Sequence, residues 1–309
     1  MAADLERLEL EFKATFASDA SEASTPMGDL FAAGGKRLRP ALVLLCAKLG
    51  DYDFETAKHG AMAVEFMHAS TLVHDDVIDR SELRRGRPTV FAAHGADAAI
   101  LVGDYYFAKA YEEAAKTDHA PVVADLAFAV SEVCKGELKA RADIRVYHRQ
   151  AGNYTAHVCQ KTGSLMLAAC RIGARLGQTD FETAGVYGLR LGEAFQIVDD
   201  VLDYTGAAAE IGKPVGHDLL EGTATLPLLL AFDTDSERLD ALVTDREPLD
   251  EETVSAVVEI VRESGATERA LDWARKAAAE AVRYAQRLPA GEARNTLEKL
   301  ATYVVERKA

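Results

Sequence analysis

Two stretches of this sequence, HASTLVHDDVIDR at 68–80 and FQIVDDVLDYTG at 195–206, each set three aspartates at the end of an apolar, helix-periodic run. On a helix Asp75 and Asp79 lie four apart and share a face, with Asp76 beside them, and Asp199, Asp200 and Asp203 repeat that spacing. The C-terminal end of a helix carries partial negative charge, so carboxylates are disfavoured there. No Lys or Arg lies inside the helical part of the first run to relieve them. One such cluster reads most simply as a solvated acidic helix end. Two of them point to a shared site for divalent cations, which supply the missing positive charge. Magnesium typically bridges a few carboxylates to substrate phosphates, so the pair points onward to a phosphorylated substrate.

The remaining sequence is helical almost throughout, rich in Ala and poor in β-branched alternation. Helices are expected over about 4–17, 41–49, 54–79, 96–116, 121–139, 143–176 (one or two) and 180–204. Others follow near 226–232, 236–244, 251–264, 267–287 and 291–307. Pro40 is expected as a first helical residue, Gly50 as a left-handed C-terminal cap, Thr179 with Glu182 as a capping box, and Asp250 as an N-cap. No linker interrupts the pattern, and the expectation is one all-α domain over 1–309. Acidic residues number 50 against 35 Lys plus Arg, a net charge of −15. That balance argues against a nucleic-acid binder. The four cysteines show no metal-ligand spacing. The acidic start is not a secretory signal and no apolar run approaches the roughly 20 residues of a bilayer span, so a cytoplasmic protein is expected.

Five stretches taken in order carry a resemblance: GGKRLRP at 34–40, HASTLVHDDVIDRSELRRGRPT at 68–89, QKTGSLM at 160–166, FQIVDDVLDYTG at 195–206 and GKPVGHDLLEG at 212–222. Together they resemble the trans-isoprenyl diphosphate synthases, or polyprenyl synthetases, over nearly the whole chain. The resemblance implies long, mostly antiparallel helices around a deep central cavity, usually as a homodimer. It also implies several Mg2+ ions held on an allylic diphosphate by two facing aspartate motifs. By position, Asp75, Asp79 and Asp199 would be metal ligands, with Asp203 in the same shell and Asp76 and Asp200 in support. Lys36, Arg39, His68 and Arg85 match positions that hold isopentenyl diphosphate. Arg84, Lys161, Thr162, Gln196 and Lys213 match those that contact the allylic substrate. Taken singly the residues have plainer readings: Lys36, Arg37 and Arg39 as the solvated start of a helix, His68 as a core histidine, Gln196 as an interhelical hydrogen bond. Lys161 in an apolar segment is odder, because an unpartnered buried ammonium is costly. Two positions depart from the family's pattern, Thr223 where Lys is common and Phe91 where His is frequent.

The first acidic helix would also act as a ruler, since one turn rises about 5.4 Å, roughly one isoprene unit. Ser70 and Thr71, one turn before Asp75, are small where short-chain members carry aromatics, and Met67 comes next, with Phe66 to the side. The expected product is therefore longer than C15, C30–C40 rather than C20. Three readings compete: a geranylgeranyl (C20) synthase, a non-catalytic subunit of a heteromeric prenyl synthase, and a terpene cyclase, which would not be expected to keep Lys36, Arg39 and Arg85. The second would be expected to have lost one aspartate motif, and both are intact.

Overall fold

Asp53 begins the helix that ends on the first acidic cluster: its carboxylate accepts the backbone N–H of Glu55 (3.2 Å) and Thr56 (3.0 Å), satisfying two amides that a helix start leaves unpaired. The structure, a computed structural model, describes residues 1–18, 37–84, 86–206 and 215–307. The fold is all-α. In chain order the helices are α1 (Ala2–Ser18), α2 (Leu38–Ala47), α3 (Phe54–Ile78), α4 (Val90–Lys116), α5 (Ala120–Ala142) and α6 (Ala151–Val158). A π-helical turn (Cys159–Gly163) joins α6 to α7 (Ser164–Leu176), followed by α8 (Phe181–Thr205) and the short α9 (His217–Leu220). The chain continues with α10 (Leu226–Asp240), α11 (Glu251–Glu263), α12 (Ala266–Ala285) and α13 (Glu292–Glu306). Between α3 and α4 a two-residue strand β1 (Leu83–Arg84) pairs antiparallel with β2 (Arg87–Pro88).

The chain divides into two compact units. The first comprises Met1–Val130, Ala168–Gly185 and Leu288–Arg294. Its centre is α3, which is buried continuously from Gly60 to Met67, as befits a helix apolar on every side. Glycines let its neighbours close in. A Cβ on Gly60 would stand 2.9 Å from Ile172 and Leu176, and one on Gly173 would stand 2.2 Å from the Val43 carbonyl oxygen. Gly50 has the same role and is not the expected left-handed cap: a Cβ there would fall 2.1 Å from the Gly177 oxygen. Pro40 is the third helical residue of α2, because Arg37 caps that helix in the left-handed region at φ 44°. The expected capping box is displaced by one residue. Asp180, not Thr179, accepts the amides of Glu182 and Thr183, and Thr179 turns its hydroxyl to the Ala174 carbonyl.

The second unit comprises Ser131–Leu167, Val186–Arg287 and Asn295–Ala309. α10 packs on α11 and α12 around a core that includes Tyr204, Leu226, Leu229, Val257 and Ala270. Asp250 caps α11 as expected, accepting from the Thr253 amide at 2.8 Å. Gly265, left-handed at φ 70°, separates α11 from α12. The segment expected as two helices at 226–244 is α10, broken at Asp235. The turn after α5 is fastened by His148, whose ring lies between Asp240 (2.8 Å) and Asp245 (2.9 Å).

The bond to Asp240 first, and Asp245 after it, hold the His148 imidazole above its ordinary range. A raised pKa contributes stability that is complete below the unfolded value near 6.5 and lost as pH rises through the folded one. The group is partly exposed, so the contribution is that of a surface pair, about 0.5–1 kcal/mol. Urea titrations of wild type and His148→Gln should therefore diverge most near pH 6 and converge toward pH 9; a gap independent of pH would contradict this.

Candidate active site

The last turn of α3 carries the first acidic cluster. Asp76 is 3 % exposed, Asp75 is half-buried, and Asp79 is exposed as the residue that caps the helix. The hairpin that follows returns Arg84 onto Asp76, with Nε at 2.9 Å and a terminal nitrogen at 2.7 Å from Oδ1. Thr89 fastens the hairpin base: its hydroxyl donates to the Ser81 carbonyl at 2.6 Å and its amide to that of Glu82 at 3.0 Å. The positive charge that the last turn of α3 lacks thus arrives from the hairpin.

On the same unit, Arg37 donates to Glu9 (2.6 Å) and Glu65 (2.8 Å), so it is an internal ion-pair residue and not part of a solvated helix start. Arg39 and His68 are half-buried. Met67 and Ser70 are each 1 % exposed, and Thr71 is half-buried with its hydroxyl on the His68 carbonyl at 2.8 Å. Phe66 is turned aside, packed edge-on against Phe12 at 5.4 Å and beside Tyr106 at 6.1 Å. Lys36, Arg85 and Lys213 lie outside the described residues.

In the second unit the π-helical turn carries Lys161 and Thr162. π-turns inside α-helices recur at functional sites, and periodicity in the sequence does not show one. It stands where Gly163 meets α8: a Cβ on Gly192 would lie 2.8 Å from Gly163 Cα. Lys161 is not buried without a partner. It is 43 % exposed and pairs with Glu137 at 2.6 Å. Burial pushes the Glu137 carboxyl up, but Lys161 and then Arg141 outweigh it and leave it below the ordinary range. Thr162 donates to Gln196 Oε1 at 2.8 Å, and Gln196 Nε2 donates to Asp200 Oδ1 at 2.8 Å. Tyr154, buried, donates its hydroxyl to Asp200 Oδ2.

Each aspartate of the second cluster therefore has a distinct surrounding. Asp199, 41 % exposed, accepts from Arg307, whose guanidinium lies 4.1 Å over the Phe195 ring. Asp203 accepts the backbone amides of His217 and Asp218, both at 3.2 Å, at the start of α9. Burial pushes Asp200 up to about 7, Asp199 and Asp203 add to the rise, and the bonds from Tyr154 and Gln196 oppose it. Asp218 is likewise raised well above the carboxylate range by burial, with Asp200 and Asp203 as charged neighbours. Sequence reading passed over Tyr154, Arg307 and the side chain of Asp218. Only Asp218 had a signal, its place in GKPVGHDLLEG. Among the described residues no group of three His, Cys, Asp or Glu side chains converges on a point where it could hold an ion unaided.

Residues 21–261 match the polyprenyl synthetase family. The chain is 38 % identical over 290 residues to heptaprenyl diphosphate synthase component 2 of Geobacillus stearothermophilus, covering 91 % of this chain and 90 % of that one. Its fold is similar to the crystal structure of heptaprenyl diphosphate synthase from Staphylococcus aureus, with TM-score 0.93 and 30 % identity over 100 % of this chain and 98 % of that one. It is also similar to a polyprenyl synthase from Caulobacter crescentus complexed with calcium and isoprenyl diphosphate, with TM-score 0.92 and 36 % identity over 100 % and 96 % of the two chains. The all-α fold is that of an isoprenoid synthase. The chain belongs to the polyprenyl synthetase family, whose members are prenyltransferases.

Arg84→Ala should destabilise the protein by ~1–3 kcal/mol by leaving the buried Asp76 carboxylate short of a donor. In urea melts, Arg84→Ala with Asp76→Ala together should lose less than the sum of the two singles. Additive losses would remove the coupling.

Proposed function

We propose that this protein is a magnesium-dependent trans-prenyltransferase that condenses isopentenyl diphosphate with an allylic diphosphate, and that residues 1–309 form one catalytic domain. The observation that carries the reading is the pair of DDxxD turns on α3 and α8, within a chain matching the polyprenyl synthetase family over 21–261. Asp75, Asp79, Asp199 and Asp203 would hold the metal. The donor set fits, being all oxygen and no thiolate or imidazole, the preference of a hard cation. Calcium accompanies isoprenyl diphosphate in the Caulobacter protein. When bound, the ion would supply positive charge to the departing diphosphate.

The chain's own residues supply the rest. Arg39 and His68, with Lys36 and Arg85, bind the isopentenyl diphosphate, and Arg84, Lys161 and Lys213 hold the allylic one. Thr162 and Gln196 present oxygens toward the allylic carbon, where positive charge develops as its bond to diphosphate oxygen breaks. Apolar side chains exclude water from that carbon. The isopentenyl double bond then attacks it, and proton loss leaves an allylic product five carbons longer. The protein acts in the cytoplasm as a homodimer; among the described residues no helix is long and apolar enough to cross a membrane.

Small Ser70 and Thr71 before Asp75, and relatives named for C35 products, support a product longer than C15, with C30–C40 favoured over C20. A second reading has one observation in its favour: the Geobacillus relative is a "component 2", so a partner subunit could complete the enzyme or set its chain length.

Incubating the purified chain with farnesyl and isopentenyl diphosphates and Mg2+, then chromatographing the products, should yield C30–C40 species that chelation abolishes. Products ending at C15 or C20 would contradict the length, and turnover only after adding a second subunit would favour the heteromer. Arg39→Ala should raise KM for isopentenyl diphosphate about tenfold or more, the worth of a charge-assisted hydrogen bond, and leave the allylic KM nearly unchanged. Equal effects on both would remove the assignment.

A further inference from the structure

We propose that Tyr154 is a positioning residue for the reaction, acting through Asp200 to fix the orientation of the Gln196 side-chain amide; this rests on the prenyl-transfer reading above. The observation is a relay within the second unit. Tyr154 donates to one oxygen of Asp200, Gln196 Nε2 donates to the other at 2.8 Å, and Thr162 Oγ1 donates to Gln196 Oε1 at 2.8 Å. Tyr154 and Asp200 are 5 % and 4 % exposed, so water does not readily replace a missing partner.

The relay has a direction. Both Asp200 oxygens act as acceptors, one for the Tyr154 hydroxyl and one for Gln196 Nε2, so the part of Gln196 facing Asp200 is its NH2 group, and its oxygen is thereby turned toward Thr162. An amide so held presents the negative end of its dipole on the Thr162 side, which favours positive charge developing there. Turned over, it would present N–H groups and oppose that charge. Asp200 has both oxygens engaged by these two donors, and Tyr154 is the one that does not belong to the amide being oriented. Without it, Asp200 keeps only the bond to the residue it must orient.

The chemistry makes a reversal testable. Asp200→Asn keeps the shape but places an NH2 group where an acceptor was needed. If its oxygen stays on Tyr154, two NH2 groups confront each other and Gln196 must turn over. Gln196→Glu in that background restores an acceptor on both sides, toward Asn NH2 and toward Thr162.

The experiment measures steady-state kinetics with farnesyl and isopentenyl diphosphates, melting curves, and calorimetric binding of a non-ionising thiolo analogue of the allylic diphosphate with Mg2+. Absence of wild-type turnover would remove the reading of this chain as a catalyst on its own, and this proposal with it. Given wild-type turnover, Tyr154→Phe and Asp200→Asn should each lower kcat about ten- to a hundredfold. Both KM values and the analogue Kd should stay within about twofold, since the loss falls on the transition state and not on binding. The double variant Asp200→Asn/Gln196→Glu should recover about tenfold over Asp200→Asn. A kcat for Tyr154→Phe within about twofold of wild type would overturn the proposal. So would a loss carried by KM or Kd, or a double variant no faster than Asp200→Asn. If Tyr154→Phe fails to melt cooperatively, the Asp200 pair decides alone.

Discussion

Carboxylates at the C-terminal ends of helices need positive partners, and the arrangement of this protein follows from where those partners come from. The helix dipole disfavours negative charge at that end by about 0.3–1 kcal/mol per group at the surface, and burial makes an unpaired carboxylate far worse. Asp76 receives Arg84 from the hairpin after α3, and Asp199 receives Arg307 from beyond α13. Asp203 receives two backbone amides of α9, and Asp200 the neutral donors Tyr154 and Gln196. The clusters therefore do not stand uncompensated, as the helical segments read alone suggest. Compensation comes from 8 residues away for Asp76 and 108 for Asp199. What points to a metal is then less unmet charge than the duplicated spacing, the oxygen-only donors and the family.

Within each trio the environments separate the roles. The middle aspartates, Asp76 and Asp200, are buried and tied to protein donors. Asp79 and Asp199 are the more open. Each DDxxD turn thus has a buried middle member that anchors the turn and a more open member, Asp79 or Asp199. In the second cluster the anchoring member also touches Gln196, so the same carboxylate that secures the helix end orients a neighbouring side chain.

Much of this was legible in the sequence where the signal is local. Helix spans follow apolar periodicity, and Asp250 and Gly265 mark their ends because capping chemistry is set within three or four residues. Gly50 misled for a reason: a glycine needed for left-handed backbone and one needed for close approach look alike in sequence, and the Gly177 oxygen that decides the matter is over a hundred residues away. Asp180 displaced Thr179 as cap because a carboxylate can serve two amides and the Thr183 hydroxyl at once. The π-helical turn under Lys161 and Thr162, and the pairing of Tyr154 with Asp200 and of Arg307 with Asp199, depend on tertiary neighbours and left no periodic trace.

On the proposed function, the two acidic turns serve one metal–diphosphate site. Calorimetry with Mg2+ and inorganic pyrophosphate, on wild type, Asp75→Asn, Asp199→Asn and the double variant, addresses it directly. The account predicts that Mg2+ and pyrophosphate bind far more tightly together than either alone, and that the double variant loses little beyond the single ones. Independent binding of the two ligands, or losses that add fully across Asp75 and Asp199, would show two separate sites and contradict it.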